Sequence, residues 1–163
     1  MQQPYILLVE DDPDDRRLTV RLLRQAYVHG EIVSLRTGTE ALHYLFGTGK
    51  FAQRDLAHKP ELILLDLRLP DMDGKEVLRC LQADPRTNDI PVVVLTSSHS
   101  EDDLVECYRL GATSYLRKSA QQLGLCCLVR HNGLAGARGG SAAASGELGG
   151  ASSASLARQE GAE

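Results

Sequence analysis

The sequence predicts an α/β fold in which a parallel sheet is covered by helices on both faces. Short, continuous apolar runs recur along the chain, and segments with helical periodicity separate them. The runs occupy residues 5–9, 32–35, 62–65, 92–95 and 115–116. Uninterrupted apolar strands are typical of parallel sheets, whose two faces are both buried. We therefore expect five strands and at least four helices in one doubly wound layer arrangement.

The first helix is predicted to begin after Asp12, a favourable N-cap that precedes Pro13 at the first helical position. Asp14 and Asp15 then lie near the positive end of the helix dipole. We expect the core-facing stripe to consist of Leu18, Leu22 and Ala26, and the arginines nearby to form a solvated face.

Three further helices are predicted at residues 39–46, 74–83 and 100–110. Ser100 and Asp103 form a candidate capping pair at the start of the last of these, and Gly111 ends it. The connection at residues 47–60 is unusually long and contains glycines and Lys50, but its spacing does not match a phosphate-binding loop.

The fifth helix, from about residue 120, has an atypical pattern. Residues 121–130 contain Gly124 and adjacent cysteines, so the predicted apolar stripe of Leu123, Cys126 or Cys127, and Arg130 is short. We expect this helix to be short or frayed. Beyond it, 22 of the 33 residues at 131–163 are Gly, Ala or Ser. Such a segment has too little apolar surface to offset its ordering entropy, which predicts one domain at 1–130 and a disordered tail at 131–163.

Composition narrows the range of functions. The 163 residues suffice for one ordinary domain, and the formal net charge of -4 argues against a nucleic-acid partner. The four cysteines lack metal-ligand spacing and are interpreted as reduced thiols. No apolar run approaches the roughly 20 residues needed to span a membrane, so we expect a cytoplasmic protein with no membrane partner.

Three carboxylates follow strands of the predicted sheet. Glu10 and Asp11 come after the first strand, and Asp66 comes after the third. The carboxyl ends of parallel strands meet at one edge, where open α/β sheets bind ligands. Two carboxylates about 5 Å apart repel by roughly 3 kcal/mol at an effective dielectric constant near 20. A divalent cation would relieve this repulsion, and Mg²⁺ suits a site with few carboxylates and several waters.

Two more residues at strand ends favour phosphoryl chemistry. Thr96 follows the fourth strand and can donate a hydrogen bond, and Lys118 follows the fifth and can neutralise phosphoryl oxygens. Asp66 is then the candidate nucleophile. A calcium-binding loop at residues 71–74 is excluded because Leu69 stands where an oxygen ligand is required.

The chain resembles the response-regulator receiver domains of two-component signalling. The resemblance rests on residues 6–12 (ILLVEDD), 64–70 (LLDLRLP) with Asp73 and Gly74, 91–96 (PVVVLT), and 111–118 (GATSYLRK). These segments occur in the family's order and at its spacing across residues 5–118.

The resemblance implies a flavodoxin-like sheet with strand order 2-1-3-4-5. The apolar runs by themselves do not establish that order. It also implies site roles. Asp66 would be phosphorylated, Asp11, Asp66 and the backbone carbonyl of Arg68 would bind Mg²⁺, and Glu10 would act mainly through water. Thr96 and Tyr115 would form a switch pair.

A narrower resemblance links the chain to small receivers that serve bacterial phytochrome kinases. It rests on the insert at residues 47–60 and on residues 83–86 (ADPR). It implies a sensor histidine kinase as partner and a homodimer through the fourth helix, fifth strand and fifth helix. Because the fifth helix is atypical, we expect that dimer to be weak. Ser119 departs from the proline that usually follows the family's lysine.

Two other functions are compatible with these residues. A phosphohydrolase could use Asp66 as its nucleophile, although it would normally carry a general acid two residues later, where this chain has Arg68. A receiver-like adaptor would keep the fold without being phosphorylated. The presence of Asp11, Asp66, Thr96 and Lys118 argues against that second alternative.

Overall fold

A computed structural model describes residues 2–26 and 30–131, apart from the side chains of residues 121–123, and confirms the predicted doubly wound α/β fold. The strands are β1 (Tyr5–Val9), β2 (Glu31–Leu35), β3 (Leu62–Asp66), β4 (Val92–Thr96) and β5 (Ser114–Arg117). The helices are α1 (Pro13–Gln25), α2 (Gly38–Phe46), α3 (Gly74–Ala83), α4 (Glu101–Arg109) and α5 (Gln121–His131).

The five strands form one parallel sheet with the order β2-β1-β3-β4-β5, as the family resemblance implied. Val9 pairs with Leu65 across β1 and β3, and Asp66 pairs with Leu95 across β3 and β4. The carboxyl ends of β1, β3 and β4 are therefore adjacent in the middle of the sheet. This register brings together the residues that follow those strands.

Alternate residues of the buried strands pack into two separate cores. Leu7, Val9, Ile63 and Leu65 face the layer formed by α2, α3 and α4. The residues between them face the layer formed by α1 and α5. All residues of β1, β3 and β4 are buried, which accounts for their uninterrupted apolar sequences.

Helix α1 begins as predicted but buries a different stripe. The Asp12 side chain accepts hydrogen bonds from the backbone N–H groups of Asp14 and Asp15, and Pro13 occupies the first helical position. Leu22 and Ala26 are buried as expected, but Leu18 is 43% exposed and the prediction for it was wrong. Leu23, fully buried, takes its place because the face toward the sheet is rotated by about one residue.

Helix α5 spans 11 residues and is longer than α2 and α4, so of the two expectations, short or frayed, the first was wrong. Among its described side chains, Leu125, Leu128 and Val129 are buried, whereas Arg130, predicted on the apolar stripe, is exposed. Leu123, also predicted on that stripe, lies outside the described side chains. A Cβ at Gly124 would lie 2.3 Å from Leu116 Cδ1, so the glycine permits a close approach to β5. Most of the predicted tail, residues 132–163, lies outside the described residues.

The long connection before β3 is held by one arginine. The Arg54 guanidinium lies 4.1 Å from the centre of the Tyr44 ring. It donates hydrogen bonds to the Tyr44 carbonyl, the His58 carbonyl and the Tyr5 hydroxyl. The insert is thereby packed against the beginning of β1, at the opposite end of the sheet from the carboxylates.

Cys80, Cys107, Cys126 and Cys127 are free thiols, as predicted. Within the described part of the chain, no helix combines the length and apolar character required to cross a membrane.

The difference between Leu18 and Leu23 can be tested by truncation. We expect Leu23→Ala to lower the free energy of unfolding by about 2 to 5 kcal/mol, because it removes buried methyl groups and leaves a cavity. Leu18→Ala, in the same helix, should change it by less than about 1 kcal/mol. Urea denaturation followed by circular dichroism measures both. Equal losses would show that α1 presents a different face to the core.

Candidate functional site

The structure brings together three carboxylates at the carboxyl edge of the sheet. Glu10 and Asp11 follow β1, and Asp66 is the last residue of β3. One oxygen from each can be chosen so that all three lie within 4.8 Å of one another. Glu10 and Asp66 are buried and Asp11 is exposed, so the cluster has one open side. Hard cations such as Mg²⁺ and Mn²⁺ prefer this donor set.

Glu10 is a buried carboxyl group whose pKa is raised by its surroundings. Burial raises the pKa of Glu10 to about 7, and the neighbouring Asp66 adds to the increase against the opposing effect of Lys118. Glu10 Oε1 accepts a hydrogen bond from the backbone N–H of Asp12. Within the described residues, the buried Oε2 atom has no hydrogen-bond partner of good geometry. That oxygen does have the Lys118 ammonium group 2.9 Å away, so it already faces positive charge and is a suitable acceptor for a further cation or its bound water.

Lys118 supplies the positive charge that faces this cluster. Its Nζ atom lies 2.6 Å from Asp15 Oδ2, 2.9 Å from Glu10 Oε2 and 3.1 Å from Asp66 Oδ2. Burial alone would lower the pKa of Lys118, but the hydrogen bond to Asp15 and the charges of Glu10 and Asp66 outweigh it and raise that pKa. The lysine is therefore a permanent cation next to Asp66.

Asp15 is the member of this arrangement that sequence reasoning missed. We had interpreted it only as an acidic residue near the positive end of α1. Its contact with Lys118 depends on how α1 and the segment after β5 pack, which no local sequence pattern encodes.

The loop that follows Asp66 is tightly constrained. Asp66 Oδ1 accepts a hydrogen bond from the backbone N–H of Arg68, and Gly74 N–H donates to the carbonyl of Leu67. A Cβ at Gly74 would lie 2.6 Å from the Asp66 carbonyl oxygen, so a larger residue would displace the backbone there. The Arg68 backbone, the predicted carbonyl ligand, is consequently held beside the Asp66 carboxylate.

The same loop is fixed to α2 by Asp71. Its two carboxylate oxygens accept hydrogen bonds from the backbone N–H groups of Gly38 and Thr39 at 2.9 and 2.8 Å. These are donors at the start of α2 that have no partner within the helix. Sequence reasoning treated Asp71 only as a rejected calcium ligand and did not find this role.

Thr96 lies at the end of β4, and the register places it directly after the residue that pairs with Asp66. Its side chain is completely buried, and its hydroxyl accepts a hydrogen bond from the backbone N–H of Ser98. Tyr115, on β5, has a buried hydroxyl with no hydrogen-bond partner among the described residues, and burial raises the pKa of that hydroxyl. Of the predicted switch pair, Thr96 is thus buried beside the β4–α4 loop, and Tyr115 is half-buried with its hydroxyl inside.

A second polar network extends from Thr96 toward α3. The Ser98 hydroxyl donates to Asp103, which also accepts a hydrogen bond from Lys75 Nζ at 2.6 Å. Lys75 Nζ lies 2.8 Å from Glu106 as well. Lys75 thus joins the N-terminal part of α3 to α4, and Ser98 joins the loop after Thr96 to the same network. It was not predicted, because its members lie on separate elements.

Two clefts open at opposite ends of the sheet. A cleft of about 350 Å³ beside Asp66 is lined by residues of the β3–α3 and β4–α4 loops, including Arg68, Thr96 and Ser98. A larger cleft of about 450 Å³ lies at the other end, near Arg54, Lys59 and Arg86. The cations there already have partners: Arg54 binds backbone carbonyls, Lys59 pairs with Asp89, and Arg86 pairs with Asp84. The cleft at the carboxyl edge, beside Asp66 and Thr96, is therefore the better candidate for the functional site.

Comparisons with known proteins agree with this arrangement. A family model described as the response regulator receiver domain matches residues 6–130. The response regulator Rcp1 of Synechocystis sp. is 44% identical over 114 residues, which cover 70% of this chain and 76% of Rcp1.

Two solved structures have the same fold and substantial sequence identity. The Mn²⁺-bound form of Rcp1 has a TM-score of 0.68 and 40% identity, over 80% of this chain and 91% of that chain. The phosphorylated cyanobacterial phytochrome response regulator RcpA has a TM-score of 0.69 and 41% identity, over 82% of this chain and 92% of that chain.

Divalent-cation affinity should depend on pH through Glu10. A proton on Glu10 competes with the cation, and the pKa of Glu10 is raised to about 7. Affinity should therefore be constant above that pH and fall below it, by up to about tenfold per pH unit. Calorimetric titration with Mn²⁺ at several pH values measures this. Glu10→Gln, which cannot titrate, should show a flatter profile; an equally steep profile would assign the proton to another carboxylate.

Proposed function

The chain belongs to the response regulator receiver family, and on that premise we propose that a sensor histidine kinase transfers a phosphoryl group to Asp66, with Mg²⁺ as the cofactor. Receiver domains accept phosphoryl groups and bind divalent cations in an acidic pocket. The single observation that carries the assignment to Asp66 is its position: a buried carboxylate lies 3.1 Å from the Lys118 ammonium and within 4.8 Å of carboxylate oxygens of Glu10 and Asp11.

We propose that the metal is held by the carboxylates of Asp11 and Asp66 and by the backbone carbonyl of Arg68, with Glu10 acting mainly through bound water. When bound, the cation supplies charge neutralisation to the phosphoryl oxygens. The clustering of the three carboxylates within 4.8 Å and the constrained loop at Arg68 support this assignment. The Mn²⁺ bound to the related Rcp1 supports a divalent ion of similar size.

In the proposed transfer, an Asp66 carboxylate oxygen attacks phosphorus as the bond from phosphorus to the kinase imidazole nitrogen breaks. The electron pair of that bond stays on the imidazole. Lys118 neutralises charge on the phosphoryl oxygens, and the Thr96 hydroxyl donates a hydrogen bond to one of them. The catalytic residues of this proposal are Asp66, Lys118 and Thr96.

We propose that Thr96 and Tyr115 convert phosphorylation into a change of surface. To reach the phosphoryl group, the Thr96 side chain must move toward Asp66, which carries its oxygen away from the Ser98 N–H group that now donates to it. That change alters the loop whose Ser98 hydroxyl contacts Asp103 and, through it, Lys75. The movement of Thr96 would vacate space that Tyr115 can fill, since the buried Tyr115 hydroxyl has no hydrogen bond among the described residues.

The partners follow from the same comparison. We propose a phytochrome-like sensor kinase, because the related RcpA is a phytochrome response regulator, and we place the reaction in the cytoplasm. The chain would act without enzymatic turnover, as a phosphorylation-controlled switch.

Val105 and Tyr108 are exposed on α4 and would contribute to a weak homodimer through α4, β5 and α5. We propose one receiver domain at residues 1–130, followed by a disordered tail at residues 131–163.

Incubation with acetyl phosphate and Mg²⁺ tests the assignment of Asp66. We expect intact-mass measurement to show one added phosphoryl group that hydroxylamine removes, and Asp66→Asn to show none because the anionic nucleophile is lost. Asp73→Asn, a control in the same loop that retains an N-cap for α3, should still be labelled. Chelation of Mg²⁺, or Asp11→Ala, should also prevent labelling.

The outcomes separate the alternatives. Labelling of Asp66→Asn would move the phosphorylation to another residue. Consumption of acetyl phosphate over many turnovers without accumulation of the labelled protein would favour a phosphohydrolase. Absence of labelling in the unsubstituted protein, with Mg²⁺ bound, would favour a receiver-like adaptor.

The switch proposal predicts where the structure changes. On phosphorylation, amide chemical shifts should change in α4, β5 and the first turn of α3, since the network of Ser98, Asp103 and Lys75 joins them. In Thr96→Ala the changes should be confined to the loops around Asp66. Nuclear magnetic resonance spectra of both proteins measure this. Changes limited to those loops in the unsubstituted protein would contradict the coupling.

A further inference from the structure

A fourth carboxylate, Asp15, contacts the site from the first turn of α1. Its Oδ2 atom lies 2.6 Å from Lys118 Nζ, the shortest of the three carboxylate contacts of that ammonium group. Asp15 is not a member of the candidate metal cluster, which consists of Glu10, Asp11 and Asp66. We propose that Asp15 is a positioning residue that holds the Lys118 ammonium beside Asp66 while a divalent cation occupies the cluster.

The proposal rests on the proposed function, because it concerns the lysine that would neutralise the phosphoryl oxygens. Lys118 has a long, flexible side chain whose ordering costs conformational entropy. Two of its three carboxylate partners, Glu10 and Asp66, belong to the cluster that would bind the cation. A divalent cation there repels the ammonium group and competes with it for the same oxygens. Among the described residues, Asp15 is the carboxylate partner of Lys118 that remains.

The backbone of Asp15 is held by two hydrogen bonds, so its carboxylate projects from a fixed point of α1. Its backbone N–H donates to the Asp12 side chain at 2.9 Å. Its carbonyl accepts a hydrogen bond from the Thr19 hydroxyl, also at 2.9 Å. Helix α1 packs against α5, which comes soon after Lys118 in the chain. The carboxylate and the lysine are therefore carried by two elements whose relative position is set by the core.

Asp14 distinguishes this role from a general effect of acidic residues at a helix start. Both residues lie in the first turn and both interact favourably with the helix dipole. The Asp14 side chain is 88% exposed and lies 3.7 Å from Arg17, whereas the Asp15 side chain is 42% exposed and contacts Lys118. Asp14→Ala is thus a matched control that removes the dipole interaction without affecting the lysine.

The first measurement is the rate of Asp66 phosphorylation by acetyl phosphate at saturating Mg²⁺, so that altered metal affinity does not contribute. We expect Asp15→Ala to lower the rate constant by roughly tenfold, the scale of one lost charged hydrogen bond in the transition state. Asp14→Ala should stay within about twofold of the unsubstituted protein. Asp15→Glu, which restores a carboxylate, should recover part of the loss.

The second measurement observes the lysine directly, without phosphorylation. Proton–nitrogen correlation spectra of the Mg²⁺-loaded protein should show a protected Lys118 ammonium signal, assigned by its absence in Lys118→Met. The signal should persist in Asp14→Ala and disappear in Asp15→Ala. Urea denaturation of each variant checks that it is folded, and Asp15→Asn replaces Asp15→Ala if the latter does not fold.

A Lys118 signal that survives in Asp15→Ala, at any rate of phosphorylation, would overturn the positioning role, and so would equal rates in the two alanine variants. Failure to label the unsubstituted protein on Asp66 would instead overturn the proposed function. In that case the ammonium signal still decides whether Asp15 holds the lysine.

Discussion

The attraction between several carboxylates and one ammonium group is the interaction on which the site depends. Glu10, Asp15 and Asp66 each approach within 3.1 Å of Lys118 Nζ. Opposite unit charges 4 Å apart attract by about 4 kcal/mol at an effective dielectric constant near 20, and the carboxylates repel one another on a similar scale. The cluster therefore requires positive charge. Lys118 supplies part of it, and one ammonium group cannot balance the three clustered carboxylates of Glu10, Asp11 and Asp66, which favours a divalent cation for the rest.

The two loops beside Asp66 differ in how they are held: one is fixed by backbone contacts, and the other is held by side-chain contacts. After β3, the chain is fixed by Gly74, which allows two backbone segments to touch, and by Asp71, which caps α2. After β4, the chain is held by the side chains of Ser98, Asp103 and Lys75. A new group on Asp66 would disturb the side-chain contacts at lower cost than the backbone contacts, which explains why we place the response on α4 and β5.

Membership of the receiver family gives these features a common purpose, because a receiver must bind a cation, accept a phosphoryl group and report it elsewhere. The carboxylate cluster would serve the first task, and Asp66 with Lys118 would serve the second. The path from Thr96 through Ser98 to Asp103 would serve the third. Arg68, which stands where a phosphohydrolase would carry its general acid, leaves no carboxyl group at that position to protonate a leaving group.

The sequence by itself determined the sheet, the cap at Asp12 and the meeting of Glu10, Asp11 and Asp66 at one edge. Those features follow from local apolar runs, helix-capping chemistry and the fact that parallel strands end on the same side. Tertiary structure alone decided which residues of α1 and α5 are buried, so the prediction for Leu18 was wrong and Leu125 was missed. It also decided the contacts of Asp15 with Lys118 and of Asp71 with α2. Such contacts join residues distant in the chain, and their geometry depends on how whole helices pack against the sheet, which short sequence patterns do not specify.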